Sequence, residues 1–138
     1  LENIGLGASV WDQASLEAAA AEVSEMPSRV RFLSAEPLLA PVSLVGVAPV
    51  EWIIVGGESL SAEQRRLGET ARAFDVDWAR VLRDECRARG IRFHMKQVGQ
   101  NPVGFRPRDP KGGGEADIPP DLRIREMPDP PRVQGALF

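Results

Sequence analysis

The chain has 138 residues, of which 43% are hydrophobic and 27% charged, a size and composition typical of one modest globular domain or of part of a larger one. A net charge of −3 gives no general attraction to nucleic acid, although it leaves room for a local basic patch. The single cysteine excludes an internal disulfide and indicates a reducing cytoplasm, and no apolar stretch approaches the roughly 20 residues that cross a bilayer.

The first part of the chain predicts two strands separated by a helix. Residues 3–10 (NIGLGASV) have the apolar character of a short strand, and residues 12–25 predict an alanine-rich helix that Pro27 ends. A second strand follows at Val30–Ala35. Because strand-like sequence begins so close to Leu1, we expect the natural protein to continue upstream.

The middle of the chain predicts two more strands and the clearest helix. The run EWIIVGGES (51–59) gives the third strand and IRFHMKQVG (91–99) the fourth. Between them, residues 75–90 predict a helix that Gly90 ends, and one face of this helix is apolar apart from Glu85.

Four strands with helical connections predict an α/β fold with a parallel sheet in residues 1–100. The character of the sequence changes after that point. Eight of the twelve prolines lie between Pro102 and Pro131, together with the run KGGGE (111–115). Residues 101–138 are therefore predicted to form a Pro/Gly-rich, loop-rich tail that is partly mobile.

Polar residues follow each of the four predicted strands. Because the carboxyl ends of parallel strands lie at one edge of the sheet, and open sheets and βα-barrels bind ligands at that edge, we expect these groups to form a site. The candidate ligand- or cofactor-binding residues at the strand ends are Asp12, Gln13, Glu36, Gly56, Gly57, Glu58, Ser59, Lys96 and Gln97.

Each of these residue types also has a purely structural interpretation. A carboxylate after a strand often caps the next helix or pairs with a cation. Gly56 and Gly57 predict a positive φ or a close backbone approach, and they match no phosphate-binding fingerprint. His94 alternates with apolar residues on a strand, where packing in the core is commoner than ligand binding. With one histidine and one cysteine, no metal site is predicted in this chain.

The segment between the third strand and the second helix, residues 59–78, is long and charged. Arg65 and Arg66 are typical of a solvated surface. A loop at the ligand-bearing edge is also suited to act as a lid, and there Arg72 would be available to meet an anion. Arg72 therefore joins the candidate site residues.

Four blocks of the sequence resemble an uncharacterised phage and prophage protein family. They are NIGLGASVWDQ, RVRFLSAEPLLAPVSL, WIIVGGES and DWARVLRDECRARGIRFHMKQVG, and together they span about residues 2–100. Members of that family carry an upstream half with a G-C-x-x-C-Y-A type cysteine cluster, which is similar to the iron–sulfur motif of radical S-adenosylmethionine enzymes.

The resemblance implies that this chain is the C-terminal half of a βα (TIM-like) barrel, full or partial. It implies S-adenosylmethionine and a 4Fe–4S cluster in the full-length protein, and no cofactor and no activity in this chain alone, which lacks the cysteine cluster. Two further departures are a longer segment at residues 60–70 and Val98 in place of a common aromatic residue.

The resemblance also implies roles for the candidate residues. The backbone at Gly56 and Gly57 would approach the ribose or the methionine part of the cofactor. Glu36 or Glu58 would bind its ammonium group or ribose hydroxyls. Lys96 or Arg72 would hold a carboxylate or a substrate anion.

Four strands cannot close a barrel, so we expect an exposed sheet edge and an exposed apolar face. The predicted partner is therefore the missing N-terminal half or a second copy of the chain, with a small-molecule ligand and no membrane. The alternative function is a non-catalytic α/β module that binds a ligand or a partner. Whether the complete protein is an enzyme, and on what substrate, stays open.

Overall fold

A computed structural model describes residues 4–129 of the chain. Its strands are β1 (Gly5–Ser9), β2 (Val30–Ala35), β3 (Trp52–Gly56) and β4 (Arg92–Gln97); its helices are α1 (Gln13–Ser24), α2 (Ala62–Arg66) and α3 (Val76–Arg89), with 3₁₀ turns at Glu115–Asp117 and Pro120–Leu122.

The strands form one four-stranded sheet in the order β1-β2-β3-β4, and every neighbouring pair is parallel. The predicted α/β fold, with four parallel strands and βα connections, is confirmed. In residues 101–129 the helical structure consists of the two 3₁₀ turns. Residues 130–138 of the predicted tail lie outside the described part of the chain.

The two long helices begin and end where the sequence provides caps. Asp12 precedes α1 and accepts a hydrogen bond from the Ser15 backbone N–H, which completes a capping box. Asp75 caps α3 through the N–H of Asp77, and Gly90 ends α3 in the left-handed conformation at φ 68°. The Asp12 and Asp75 caps fix where the helices begin, and therefore how long the loops after β1 and β3 are.

One face of the sheet forms the hydrophobic core. The strand register aligns Leu33, Ile53 and Phe93 across β2, β3 and β4, and each of them is at most 1% exposed. Helices α1 and α3 cover this face, and their buried Leu16 and Leu82 belong to the same cluster. Burying each of these side chains contributes about 2 kcal/mol to folding.

The opposite face of the sheet is only half-buried. Phe32, Trp52, Ile54 and His94 lie on it. The Trp52 ring centroid is 5.5 Å from that of Phe32 and 6.0 Å from that of His94. The sequence predicted an exposed apolar face without saying which one, and Phe32, Trp52 and Ile54 give this half-buried face an apolar character.

The loop between β2 and β3 is held by two charged residues of α3. The Glu85 carboxylate accepts hydrogen bonds from the Ser43 hydroxyl at 2.8 Å and from the Leu44 N–H at 2.5 Å. Arg89 donates to the carbonyl oxygens of Leu44 and Val47 at 2.6 and 2.9 Å. The glutamate on the apolar face of α3 therefore satisfies loop groups that would otherwise lack partners.

Residues after position 100 cover the outer edge of β4. The Met95 N–H donates to the Ile124 carbonyl at 2.8 Å, and the Glu126 N–H donates to the Phe93 carbonyl at 3.0 Å. Leu122 is fully buried in the same core cluster. Within residues 4–129, the edge of β1 is the edge of the sheet that has no strand beside it.

No helix in the described residues is long and apolar enough to cross a membrane.

Candidate functional site

The carboxyl ends of β2, β3 and β4 bring Glu36, Gly56 and Lys96 together. Lys96 Nζ donates to Glu36 Oε1 at 3.0 Å, so the ion pair reaches from β4 to the residue after β2 and passes over β3. A Cβ atom at Gly56 would lie 3.2 Å from Glu36 Cγ and 3.2 Å from Gln97 Cγ. The missing side chain at Gly56 therefore leaves the room in which the Glu36 side chain lies.

The second oxygen of the Glu36 carboxylate, Oε2, is buried and has no hydrogen-bond partner in the described residues. The Glu36 side chain is 19% exposed, whereas that of Lys96 is 55% exposed. A buried carboxylate oxygen without a donor costs free energy, and a ligand that brings an N–H or O–H group would remove that cost. This atom is the strongest sign of a binding site at the sheet edge.

His94 lies two residues before Lys96 on the same face of β4. Its Nδ1 atom is also buried and lacks a partner among residues 4–129. Burial lowers the pKa of His94, so the ring is neutral at neutral pH. The sequence favoured a packed core position for this histidine. The structure places it on the half-buried face, with its ring centroid 6.0 Å from that of Trp52.

Two other predicted site residues, Glu58 and Arg72, pair with each other. The Arg72 guanidinium donates through Nη2 to Glu58 Oε1 at 2.5 Å and through Nε to Oε2 at 3.1 Å. The Arg72 backbone N–H donates to Oε2 at 2.7 Å. The hydrogen bonds from Arg72 lower the pKa of the Glu58 carboxyl. This pair joins the two ends of the charged segment after β3.

Replacing Glu58 by glutamine is expected to lower the free energy of unfolding by about 1 kcal/mol at neutral pH, since Arg72 is largely exposed and solvent screens the pair. The folded-state pKa of Glu58 is depressed. The stabilisation is therefore complete above the ordinary glutamate pKa of about 4.3 and is lost as the pH falls through the folded-state pKa. Urea unfolding across that pH range should show the difference between wild type and variant shrinking with acidification.

The matched control for this prediction is Glu63→Gln, because Glu63 also pairs with an arginine but the side chains are 62% and 73% exposed. We expect this control to change the free energy of unfolding by less than about 0.5 kcal/mol. A Glu58→Gln deficit that stays constant or grows on acidification would contradict the ion-pair interpretation.

Asp12 and Gln13 have partners within the chain at the start of α1. The Asp12 carboxylate accepts the Ser15 N–H at 2.9 Å, and this bond lowers the pKa of Asp12. Gln13 accepts the Ser43 N–H at 2.8 Å and donates to the Ser43 carbonyl at 3.1 Å. Asp12 therefore has the structural role of a helix cap, which the sequence left open as an alternative to ligand binding. Gln13 connects α1 to the loop after β2 by these two hydrogen bonds.

The remaining candidates lie where the loops after β3 and β4 meet. The buried Gln97 side chain donates to the Gly57 carbonyl at 3.0 Å, and the Gly57 N–H donates to the Gln97 carbonyl at 3.1 Å. Neither Gly56 nor Gly57 has a positive φ; the close approach predicted for them is present, since Gly57 packs directly against the Val98 carbonyl group. Ser59 follows Glu58 and is half-exposed.

The residues of this chain do not fit an iron–sulfur cluster. Cys86 is the only cysteine in the sequence, and it lies buried in α3, where burial raises its pKa to about 12. A protonated thiol is a poor metal ligand. Within residues 4–129, no group of three or more His, Cys, Asp or Glu side chains is arranged to hold a metal ion.

Residues 1–117 match a family described as "Protein of unknown function (DUF5131)". No curated protein and no solved structure matches the chain. Since the match covers most of the 138 residues, the chain belongs to the DUF5131 family of proteins of unknown function.

Proposed function

We propose that the carboxyl ends of β2, β3 and β4 bind a small ligand that carries an ammonium group or hydroxyl groups, with Glu36 as the acceptor. The unpartnered Oε2 atom of Glu36 is the observation that carries the proposal. Lys96 Nζ donates to the other carboxylate oxygen, Oε1, at 3.0 Å, which orients the carboxylate. A ligand N–H or O–H group that reaches Oε2 would give the second carboxylate oxygen its missing hydrogen bond.

We further propose that the chain is the C-terminal half of a βα-barrel similar to those of radical S-adenosylmethionine enzymes, in a protein of phage or prophage type. The strand order supports a barrel half. In a doubly wound sheet the order reverses at a switch point, whereas barrel strands follow chain order, as β1-β2-β3-β4 do here. Helices α1 and α3 cover one face of the sheet. The other face, on which Glu36, Lys96 and His94 lie, would then be the interior of the barrel.

S-Adenosylmethionine fits the chemistry of this pair. Glu36 would accept from its ammonium group or its ribose hydroxyls, and Lys96, which is 55% exposed, would meet its carboxylate. Reduced by an iron–sulfur cluster, this cofactor supplies radical chemistry. The cluster itself does not fit here, so its ligands would belong to the upstream half that the resemblance implies. The residues of this chain would bind and orient S-adenosylmethionine.

The proposal is tested by titrating the chain with S-adenosylmethionine in a calorimeter and mapping the contacts by amide NMR shifts. Wild type should bind saturably, with shifts at Glu36, Gly56 and Lys96. Loss of one charge-assisted hydrogen bond in Glu36→Gln should weaken binding about ten-fold or more. Glu63→Gln, an exposed carboxylate on α2, should bind like wild type.

Equal affinity of wild type and Glu36→Gln would contradict the role of the carboxylate. Absence of saturable binding at millimolar S-adenosylmethionine would contradict the choice of ligand. Shifts confined to residues far from the strand ends would contradict the location of the site.

A further inference from the structure

A cleft of about 500 Å³ lies between the segment after β3 and the segment after β4. This volume is in the range of small-molecule sites in proteins. The cleft contains none of Glu36, Lys96 and His94, so an argument about it does not depend on the proposed function of that site.

Three arginines line this cleft: Arg65 from α2, and Arg106 and Arg108 from the segment after β4. All three are exposed. Within residues 4–129, none of the three guanidinium groups has a hydrogen bond or an ion pair. The contrast with Arg66 is direct, because that neighbour of Arg65 pairs with Glu63 at 2.6 Å.

Two carboxylates also line the cleft, and both have donors inside the chain. Asp109 Oδ1 accepts the backbone N–H groups of Lys111 and Gly113 at 2.8 and 3.0 Å. Glu69 Oε2 accepts the Gln64 side-chain amide at 3.2 Å. With three arginines and two carboxylates, the lining of the cleft carries a net positive charge, whereas the whole chain has a net charge of −3.

Side-chain amides hold the walls of the cleft in place. Gln100 donates to the carbonyl oxygens of Leu60 and Pro110 at 3.2 and 2.9 Å, so it ties the two segments together. Asn101 donates to the Ala71 carbonyl at 3.0 Å. Pre-formed walls lower the ordering cost of binding.

We propose that this cleft binds a small phosphate-bearing molecule through Arg65, Arg106 and Arg108. The planar guanidinium group donates two parallel hydrogen bonds to phosphate oxygens, and three such groups suit a ligand with several negative charges. A lone carboxylate ligand would leave some of these donors unused. A volume of about 500 Å³ has room for a phosphorylated metabolite or a nucleotide.

The test is a titration of the full chain with inorganic pyrophosphate at constant ionic strength, followed by calorimetry and by the arginine Nε–H signals in NMR. The double variant Arg106→Gln/Arg108→Gln should bind pyrophosphate at least about ten-fold more weakly. Arg66→Gln is the matched control, since it removes an exposed but paired arginine next to Arg65; its affinity should stay within about two-fold of wild type. All these side chains are exposed, so the variants should fold.

Three results would overturn the proposal. Wild type could fail to saturate with pyrophosphate, which would show that the arginines only solvate the surface. Arg66→Gln could lose as much affinity as the double variant, which would indicate unspecific charge attraction. A single-stranded oligonucleotide could bind, with a steep salt dependence, where pyrophosphate does not, which would assign the surface to a nucleic-acid backbone.

Discussion

Replacing Gly57 by alanine is expected to lower the free energy of unfolding by about 3 kcal/mol, the upper part of the range for overpacking a buried site. A Cβ atom at this position would collide with the Val98 carbonyl oxygen and lie 2.8 Å from the Val98 carbonyl carbon and 3.0 Å from Phe74 Cβ. All three residues are buried. Because the obstructing atoms belong mainly to the backbone, no side-chain rotation relieves the contact, and the loops after β3 and β4 must separate.

The control for this prediction is Gly5→Ala in β1. There a Cβ atom would meet its nearest neighbour, the Val30 carbonyl oxygen, at 3.7 Å, which is an ordinary contact. We expect its free energy of unfolding to stay within about 0.5 kcal/mol of wild type. Urea unfolding followed by circular dichroism measures both variants. Equal stability of the two would show that the loops after β3 and β4 adapt without cost.

Replacing Leu122 by alanine is expected to lower the free energy of unfolding by about 3 kcal/mol, as for other fully buried leucines. Leu122 is 0% exposed and belongs to the main core cluster. It lies beyond residue 117, where the family match ends. The segment that follows it pairs with β4 through Ile124 and Glu126, so a cavity at Leu122 also weakens the cover of that strand.

Met127→Ala is the matched control, because Met127 lies in the same segment and is 56% exposed. Its effect on the free energy of unfolding should be under about 0.5 kcal/mol. The two variants are compared by thermal and urea unfolding. A loss in Leu122→Ala as small as that in Met127→Ala would show that residues 118–126 leave the core easily, as a mobile tail would.

The regular part of the fold could be predicted from local sequence. The segments at residues 30–35 and 51–59 are rich in apolar and β-branched residues, which is typical of central strands. The helix that became α3 carries its own start and stop signals in Asp75 and Gly90. The geometry of parallel sheets then predicted that the polar residues at the ends of these strands lie close together. Glu36 and Lys96 do meet at that edge.

The contacts that decide the role of each site residue could not be read from local sequence. Glu58 and Arg72 are 14 residues apart, and Gln13 and Ser43 are 30 apart. Nothing local distinguishes a carboxylate that meets an arginine from one that meets a ligand. The hydrogen bonds of Glu85 could not be predicted either, because its partners Ser43 and Leu44 belong to a loop with no periodic pattern.

The segment at residues 122–126 has a consequence for the direction in which this sheet can be extended. It occupies the outer side of β4 by hydrogen bonds at Phe93 and Met95, so among residues 4–129 the sheet edge that a further strand could join is that of β1. A sheet that is extended from one side alone, and curves as it grows, forms an incomplete cylinder with a gap beside β4. In the barrel that we propose, residues 122–126 would line that gap, and a small molecule would reach Lys96 and Glu36 at the end of the cylinder where the strands finish.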